Sequence, residues 1–169
     1  VFTQLVLVFP STRDTRVLSG ISYILNRNIR KEAPEILLIV TGDIMPARSV
    51  NSQATRKNDF TWAFENIKEL LSSGDITLIN LETPLIDNCP VTDSGMIFCG
   101  SKKHIKGITS SGVDIVNLAN NHIGNWGIDG VEQTKRLLEE NGVLISGLTQ
   151  PTTYITVKDV KFAFLGFND

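Results

Sequence analysis

Four short runs of apolar residues recur along the chain, and each one leads into a polar or glycine-containing segment. The runs cover residues 35–41, 76–80, 113–118 and 143–146. Continuous apolar runs of this length are typical of parallel strands that are covered on both faces. The pattern therefore predicts four buried strands.

Apolar residues at helical spacing lie between these runs and predict three helices. One extends from an N-cap at Asn58 or Asp59 to Gly74, one covers residues 101–111, and one covers 129–141. Asp129 and Glu132 have the spacing of a capping box at the start of the last helix. Alternating strands and helices, with a glycine after each helix, predict an α/β fold with a largely parallel sheet of βαβ units.

Both ends of the chain show further elements. Residues 4–9 read as a strand and 17–29 as a helix, and we interpret 1–34 as a leader or the end of a preceding segment. Residues 154–157 and 161–167 predict a hairpin that turns at Lys158 and Asp159. We interpret 35–169 as the N-terminal part of a domain whose C-terminal part is missing.

Composition narrows the functional classes. The chain has 169 residues, of which 41% are hydrophobic and 20% charged, with a net charge of −2. These values are typical of a globular domain. The chain has no excess of positive charge and no long basic run, so nucleic acid is not an expected partner. No apolar stretch reaches the ~18 residues of a membrane span, although a removed signal peptide or anchor remains compatible with the sequence.

Cys89 and Cys99 lie ten residues apart in a segment rich in Pro, Asp, Ser and Gly. Such a segment has little core of its own, which favours a disulfide formed in an oxidising compartment. Two unconnected thiols are the alternative. A zinc site is disfavoured because the spacing is not that of a CxxC pair.

Polar side chains follow three of the predicted strands. They are Asp43 after the first strand, Asn80 and Glu82 after the second, and Asn120, Asn121 and His122 after the third. Each strand end alone is also compatible with an ordinary turn. The C-terminal ends of parallel strands meet at one edge of a sheet, so together these residues predict one site. Oxygen ligands and an imidazole suit a divalent cation such as Mg²⁺, Mn²⁺ or Zn²⁺.

The same strand ends carry a family resemblance. The motifs are Gly42 to Met45, Asn80 to Pro84, and Leu118 to His122 followed by Gly127, and Phe162 to Gly166 fits the next strand. In this order and spacing they resemble the bacterial capsule synthesis CapA family of poly-γ-glutamate synthesis (PGA_cap). That family is a branch of the calcineurin-like metallophosphoesterase superfamily. The resemblance covers about residues 36–167.

The resemblance implies a metallophosphoesterase-like α/β/β/α sandwich with one or two divalent metals (Mn, Mg, Zn or Fe) at the sheet edge. Asp43 matches the aspartate of the first motif, and Glu82 lies where the superfamily has a metal-bridging aspartate. Asn121 matches a metal-binding asparagine. His122 matches the histidine that protonates a leaving group or holds the charge of the substrate.

The chain also departs from the pattern. Met45 occupies the position of a metal-binding histidine, and Asn125 lies where the family often has aspartate. Only two histidines are present, and His104 is expected to be exposed in a lysine-rich helix start. A complete dinuclear centre cannot be built from these residues, so the other ligands lie elsewhere or the metal site is degenerate.

Three residues are candidate substrate contacts. Asn120 lies at the third strand end, Arg48 follows Asp43 closely enough to meet an anionic group, and Trp126 lies in the site loop. A solvated loop cation and a packed indole are the alternatives for Arg48 and Trp126.

The resemblance implies a protein of capsule or poly-γ-glutamate biosynthesis acting as a metal-dependent hydrolase or transferase. Its expected substrate is an anionic polymer or a phosphoryl or amide group, and its expected partners are capsule-synthesis membrane proteins. The expected location is the extracytoplasmic cell envelope. The alternative function is a non-catalytic, polymer-binding component of an envelope complex.

Overall fold

A computed structural model describes residues 3–10, 34–148 and 152–168 of the chain. Its strands are β1 (Thr3–Pro10), β2 (Leu38–Ile44), β3 (Ile76–Leu81), β4 (Leu85–Ile86), β5 (Gly100–Ser101), β6 (Ile115–Asn117), β7 (Leu144–Ser146), β8 (Thr153–Val157) and β9 (Val160–Phe167). Its α-helices are α1 (Arg48–Lys57), α2 (Lys68–Ser72), α3 (Ile105–Ser110) and α4 (Gly127–Glu140). Short 3₁₀ helices cover Trp62–Phe64, Lys102–His104 and Ile123–Trp126.

The strands form a parallel sheet, an antiparallel sheet and a small ladder. The parallel sheet has the order β2-β3-β6-β7 and contains all four predicted strands. The prediction that all four are buried is wrong for β2, because it is an edge strand and its Val40 is 48% exposed. The antiparallel sheet has the order β1-β9-β8, and β4 pairs with β5. The predicted α/β class and largely parallel strand order are confirmed.

Strand β3 shows how the layers pack, because its side chains alternate between two cores. Ile79 and Leu81 belong to a core shared with the helices, which includes Leu138 of α4. Ile76 and Leu78 belong to a second core, which includes Phe164 of β9. Helices, parallel sheet and second sheet therefore form successive layers, in the order expected of the first three layers of a metallophosphoesterase-like sandwich.

The segment before β3 differs from the prediction. The expected single helix from Asn58 or Asp59 to Gly74 is instead the 3₁₀ turn Trp62–Phe64 followed by the short helix α2. The Asp59 carboxylate accepts hydrogen bonds from the Thr61 N–H and hydroxyl, at 2.8 and 2.7 Å, which stabilises a local turn. Helix α1 was not predicted, because its sequence is mostly polar.

The predicted capping box is also wrong. Helix α4 begins at Gly127, so Asp129 lies inside the first turn and accepts a hydrogen bond from Gln133 at 2.7 Å. The other end of the helix is confirmed, since Asn141 is its C-cap and Gly142 has a φ of 74°.

The chain ends bear on two other predictions. The hairpin is confirmed, and Lys158 and Asp159 have the positive φ angles, 50° and 64°, that a two-residue type I′ turn requires. The strand predicted at 4–9 is β1, which pairs with β9. The helix predicted at 17–29 lies outside the described residues, and the proposed division at residue 34 stays a prediction.

Candidate metal and catalytic site

The first two strand ends meet directly. Asp43 of β2 lies opposite Asn80 of β3, and the Asn80 Nδ2 donates a hydrogen bond to the Asp43 Oδ1 at 2.7 Å. Glu82 follows β3, and its N–H donates to the carbonyl of Ile44 at 3.0 Å. Parallel pairing thus places two carboxylates side by side at the C-terminal edge of the sheet, as predicted for Asp43 and Glu82.

The electrostatics of Glu82 reflect this arrangement. Its side chain is mostly buried, at 8% exposure, whereas Asp43 is exposed. Burial raises the pKa of Glu82, and the hydrogen bond and negative charge of the adjacent Asp43 raise it further, while His122 opposes the shift. Two adjacent carboxyl groups of this kind are stabilised by a shared proton or by a bound cation.

Three buried asparagines connect the strand ends. The Asn80 Oδ1 accepts hydrogen bonds from the Nδ2 atoms of Asn117 and Asn120, at 3.1 and 3.2 Å. All three side chains are at most 3% exposed. Since Asn80 also donates to Asp43, this network fixes the Asp43 carboxylate relative to the loop that carries His122.

All hydrogen-bonding groups of the Asn120 side chain are paired within the protein. Its Nδ2 also donates to the carbonyl of Leu81 at 2.9 Å, and its Oδ1 accepts the N–H groups of His122 and Ile123 at 3.2 and 2.9 Å. An amide has two donors and two acceptor lone pairs, so this side chain is fully satisfied. The substrate contact predicted for Asn120 would require this network to rearrange.

The orientation of His122 follows from its neighbour Asn125. The Asn125 side chain lies 2.8 Å from the backbone N–H of Phe98. Because an N–H group can only donate, the Asn125 atom at this distance must be the acceptor, Oδ1, and not the amide nitrogen. That oxygen lies 3.2 Å from the His122 Nδ1, which therefore carries a proton. The Nε2 is the other ring nitrogen. It lies 3.3 Å from the Asn121 Nδ2, which leaves the Asn121 oxygen free for a cation.

Aromatic and cationic groups flank the imidazole. The rings of Phe98 and His122 meet edge to face, with centroids 4.5 Å apart, and the Arg48 guanidinium lies 5.7 Å from the Phe98 centroid. Arg48 and Trp126 line one small pocket of about 40 Å³ beside Cys99. The structure thus brings the two predicted substrate contacts together in one pocket, with Phe98 in contact with both Arg48 and His122, and substrate contact itself stays a prediction.

His104 differs from its prediction. It is fully buried rather than exposed, and its ring packs edge to face on Phe60 at 5.0 Å. The Asn51 Oδ1 accepts the N–H of Ser101 at 3.1 Å, so the His104 Nε2, also 3.1 Å away, must donate to it. Burial lowers the pKa of His104 to about 4, and its role is structural.

The donor atoms at the sheet edge fit a divalent cation in part. Among the described residues, no group of three His, Cys, Asp or Glu side chains lies close enough together to hold a metal. The adjacent carboxylates of Asp43 and Glu82, with the amide oxygen of Asn121, are hard oxygen donors suited to Mg²⁺ or Mn²⁺. These three residues would supply part of a coordination shell.

Two residues of the site were missed by the sequence analysis. Asn117 is the one polar residue within an otherwise apolar strand, and a buried carboxamide in that position indicates a hydrogen-bonding role. Phe98 precedes Cys99, but nothing in the sequence links it to His122, which is 24 positions later. Only the fold of the intervening loop reveals that contact.

Comparison with known protein families gives an extensive match. The family described as Bacterial capsule synthesis protein PGA_cap matches residues 37–169, which is most of the chain. The match includes all three strand ends.

Individual relatives are more distant. The capsule biosynthesis protein CapA of Bacillus anthracis is 25% identical over 149 residues, covering 82% of this chain and 36% of that protein. The PGA biosynthesis protein CapA of Bacillus subtilis is 26% identical over 137 residues, covering 76% and 36%. The uncharacterized protein y4sH of Sinorhizobium fredii is 28% identical over 117 residues, covering 66% and 24%.

The chain thus spans between 24% and 36% of the length of these curated relatives. Among the helices that the structure describes, none combines the length and apolar character that a bilayer crossing requires.

Proposed function

The chain belongs to the bacterial capsule synthesis protein PGA_cap family, and on this premise we propose that it carries a metal-assisted hydrolase or transferase site. The proposed role is in the biosynthesis of capsule or poly-γ-glutamate, in the manner of a CapA protein. The proposed substrate is a phosphoryl or amide group of an anionic polymer or its precursor, and the proposed partners are capsule-synthesis membrane proteins.

One observation carries the proposal. The strand ends at Asp43 and His122 are joined by the buried Asn80 and Asn120 into a single hydrogen-bonded unit, and the Glu82 carboxyl group lies against Asp43. Burying several carboxamides costs free energy unless each hydrogen bond is made, so a purely structural sheet edge would more often be apolar. A preorganised polar edge of this kind supports a site at which charge is bound or developed.

Each residue has a proposed part. Asp43, Glu82 and Asn121 would hold a divalent cation, which when bound would polarise a phosphoryl or amide oxygen. His122 holds one proton on Nδ1 through Asn125, so a second proton, taken up on Nε2, is the one that it would pass to the leaving group. Arg48 offers its guanidinium to an anionic substrate group beside Trp126.

The test is Mn²⁺-dependent phosphodiesterase activity of the full-length protein and of two variants. His122→Ala removes the proton donor, and we expect kcat to fall by about 10²- to 10⁴-fold. Glu139→Ala, at an exposed position of α4, is the control and should leave kcat unchanged. An active protein whose His122→Ala variant is equally active would show that the role given to His122 is wrong.

A second candidate is a non-catalytic, polymer-binding component with a degenerate metal site. The presence of Asn125, where the family often has aspartate, favours it because an amide stabilises an imidazolium less than a carboxylate does. Titration of soluble poly-γ-glutamate into the full-length protein would distinguish the two. Tight binding without hydrolysis would favour this candidate.

The proposed location is the extracytoplasmic side of the cell envelope. The Cys89–Cys99 disulfide supports it, because such bonds persist in oxidising compartments.

A further inference from the structure

The loop between β4 and β5 has little core of its own. Val91, Met96 and Ile97 are 56%, 74% and 67% exposed, so apolar packing does not define the path of the chain there. A disulfide between Cys89 and Cys99 closes the loop. A covalent crosslink is therefore the main restraint on this segment.

One residue near the end of the loop behaves differently. Phe98, adjacent to Cys99, is only 5% exposed. Its ring edge contacts His122 with centroids 4.5 Å apart, and its N–H donates to the Asn125 Oδ1 at 2.8 Å. Phe98 thus contacts the imidazole directly and also holds the amide that fixes the proton on Nδ1.

The other end of the loop is anchored to a different part of the fold. The Asn51 Nδ2 of α1 lies 3.7 Å from the Cys89 Sγ, and Asn51 itself is 1% exposed. Its Oδ1 accepts the N–H of Ser101 at 3.1 Å. The crosslink thus connects Cys89, which lies against Asn51 of α1, to Cys99, which is adjacent to the residue that contacts His122.

We propose that the disulfide-closed loop 89–99 is a positioning element for His122, with Phe98 as its positioning residue. The loop holds the imidazole in one orientation and one tautomer, in which Nε2 is the unprotonated nitrogen. This inference rests on the proposed function for its catalytic meaning, but the geometry it describes can be measured without metal or substrate.

Opening the disulfide provides the first test. A small dithiol transfers two electrons and two protons to the Cys89–Cys99 bond, giving two thiols and the cyclic disulfide of the reductant. The Cys89→Ser, Cys99→Ser double variant gives the same open loop without a reductant. In both cases Phe98 loses the covalent restraint at the adjacent Cys99, and the His122 ring should sample both tautomers.

The measurement is ring ¹⁵N NMR of histidine-labelled full-length protein near pH 8, without metal. These 169 residues contain two histidines, so a His104→Gln background leaves His122 as the one histidine of this segment, and the signals lost in His122→Gln identify it in the full-length protein. We expect separate Nδ1–H and Nε2 signals and a Phe98–His122 NOE in the oxidised protein. Reduction should average the two nitrogen signals and abolish the NOE.

Phe98→Leu keeps the disulfide, and it tests the positioning of His122 by the loop even if the serine variant does not fold. It should also average the two nitrogen signals of His122, whereas Met96→Ala, an exposed change in the same loop, should alter neither signal. Unchanged His122 signals in Phe98→Leu, or in a folded serine variant, would overturn the proposal. If His122 responds as expected but the protein shows no phosphodiesterase activity, only the proposed function fails.

Discussion

At the scale of single residues, backbone N–H groups settle the orientation of the polar side chains. The N–H of Phe98 identifies the oxygen of Asn125, and the N–H of Ser101 identifies the oxygen of Asn51. Each oxygen then assigns the proton on one histidine. His122 carries it on Nδ1 and has an unprotonated Nε2, whereas His104 carries it on Nε2 and buries an Nδ1 that has no hydrogen-bond partner among the described residues.

The first prediction concerns Asn125. Asn125→Leu removes the oxygen that orients His122, and we expect kcat to fall by about 10- to 100-fold, as for other residues that orient a functional histidine. Asn125→Asp retains an acceptor at that position and is the matched variant. Phosphodiesterase assays of both should show the loss in Asn125→Leu alone. Equal losses in the two variants would mean that the hydrogen bond to Nδ1 does not matter.

The second prediction concerns the pH dependence of folding through His104. Its folded pKa is about 4 and its unfolded value is 6.5, so the unfolded chain takes up the proton first as the pH falls. The contribution of His104 to the free energy of unfolding is therefore present above pH 6.5 and is lost progressively as the pH falls towards 4. Between pH 7.5 and 5 the loss should be about 2 kcal/mol.

Urea denaturation at those two pH values checks this, with His104→Gln as the control. Glutamine can donate to Asn51 but does not titrate, so its variant should lose about 2 kcal/mol less than the wild type. Identical pH dependence in the two proteins would refute the assignment.

At the scale of secondary-structure elements, the sequence analysis correctly predicted those whose apolar residues follow a strong periodic pattern. The four parallel strands and helix α4 have strong apolar patterns, and their order along the chain was correct. Helix α1 was missed because its buried positions include the polar residues Asn51 and Ser52. The expected helix after Asp59 is interrupted because that carboxylate forms a turn with Thr61. Side-chain hydrogen bonds, which periodicity does not report, decided both cases.

The third prediction tests how α3 packs on the 3₁₀ turn before α2. A Cβ added to Gly107 would lie 2.5 Å from a ring carbon of Phe64 and 2.8 Å from the carbonyl oxygen of Phe60. Gly107→Ala should therefore lower the free energy of unfolding by about 1–3 kcal/mol. Gly124→Ala is the matched control, because a Cβ there meets nothing within 4 Å. Chemical denaturation of both variants should show the loss at Gly107 alone.

At the scale of the whole molecule, the asparagine network lies where the two sheets meet. A Cβ on Gly166 of β9 would overlap the Asn117 Oδ1 and lie 2.9 Å from the Gly147 Cα. The antiparallel sheet thus approaches the parallel sheet closely enough that only glycine fits, and it closes one side of the network. The site depends on both sheets, although its functional groups come from the parallel one.

The position of the candidate site could be predicted from the sequence, but the contacts among its side chains could not. Strand ends converge by topology, which made Asp43, Glu82 and His122 predictable as neighbours. Which polar atoms bond to one another depends on side-chain packing, so the inward role of Asn120 and the contact of Phe98 with His122 were not predictable.

Metal uptake tests the central claim most directly, namely that the three strand ends form a cation site. The measurement is calorimetric titration of Mn²⁺ into the metal-free full-length protein and into Asp43→Asn, which retains an oxygen for Asn80 but loses the charge. Asp87→Asn, at an exposed aspartate paired with Lys102, is the control. We predict binding by the wild type and the control, weakened at least about tenfold in Asp43→Asn. No uptake by the wild type, or equal affinity in all three proteins, would contradict the account.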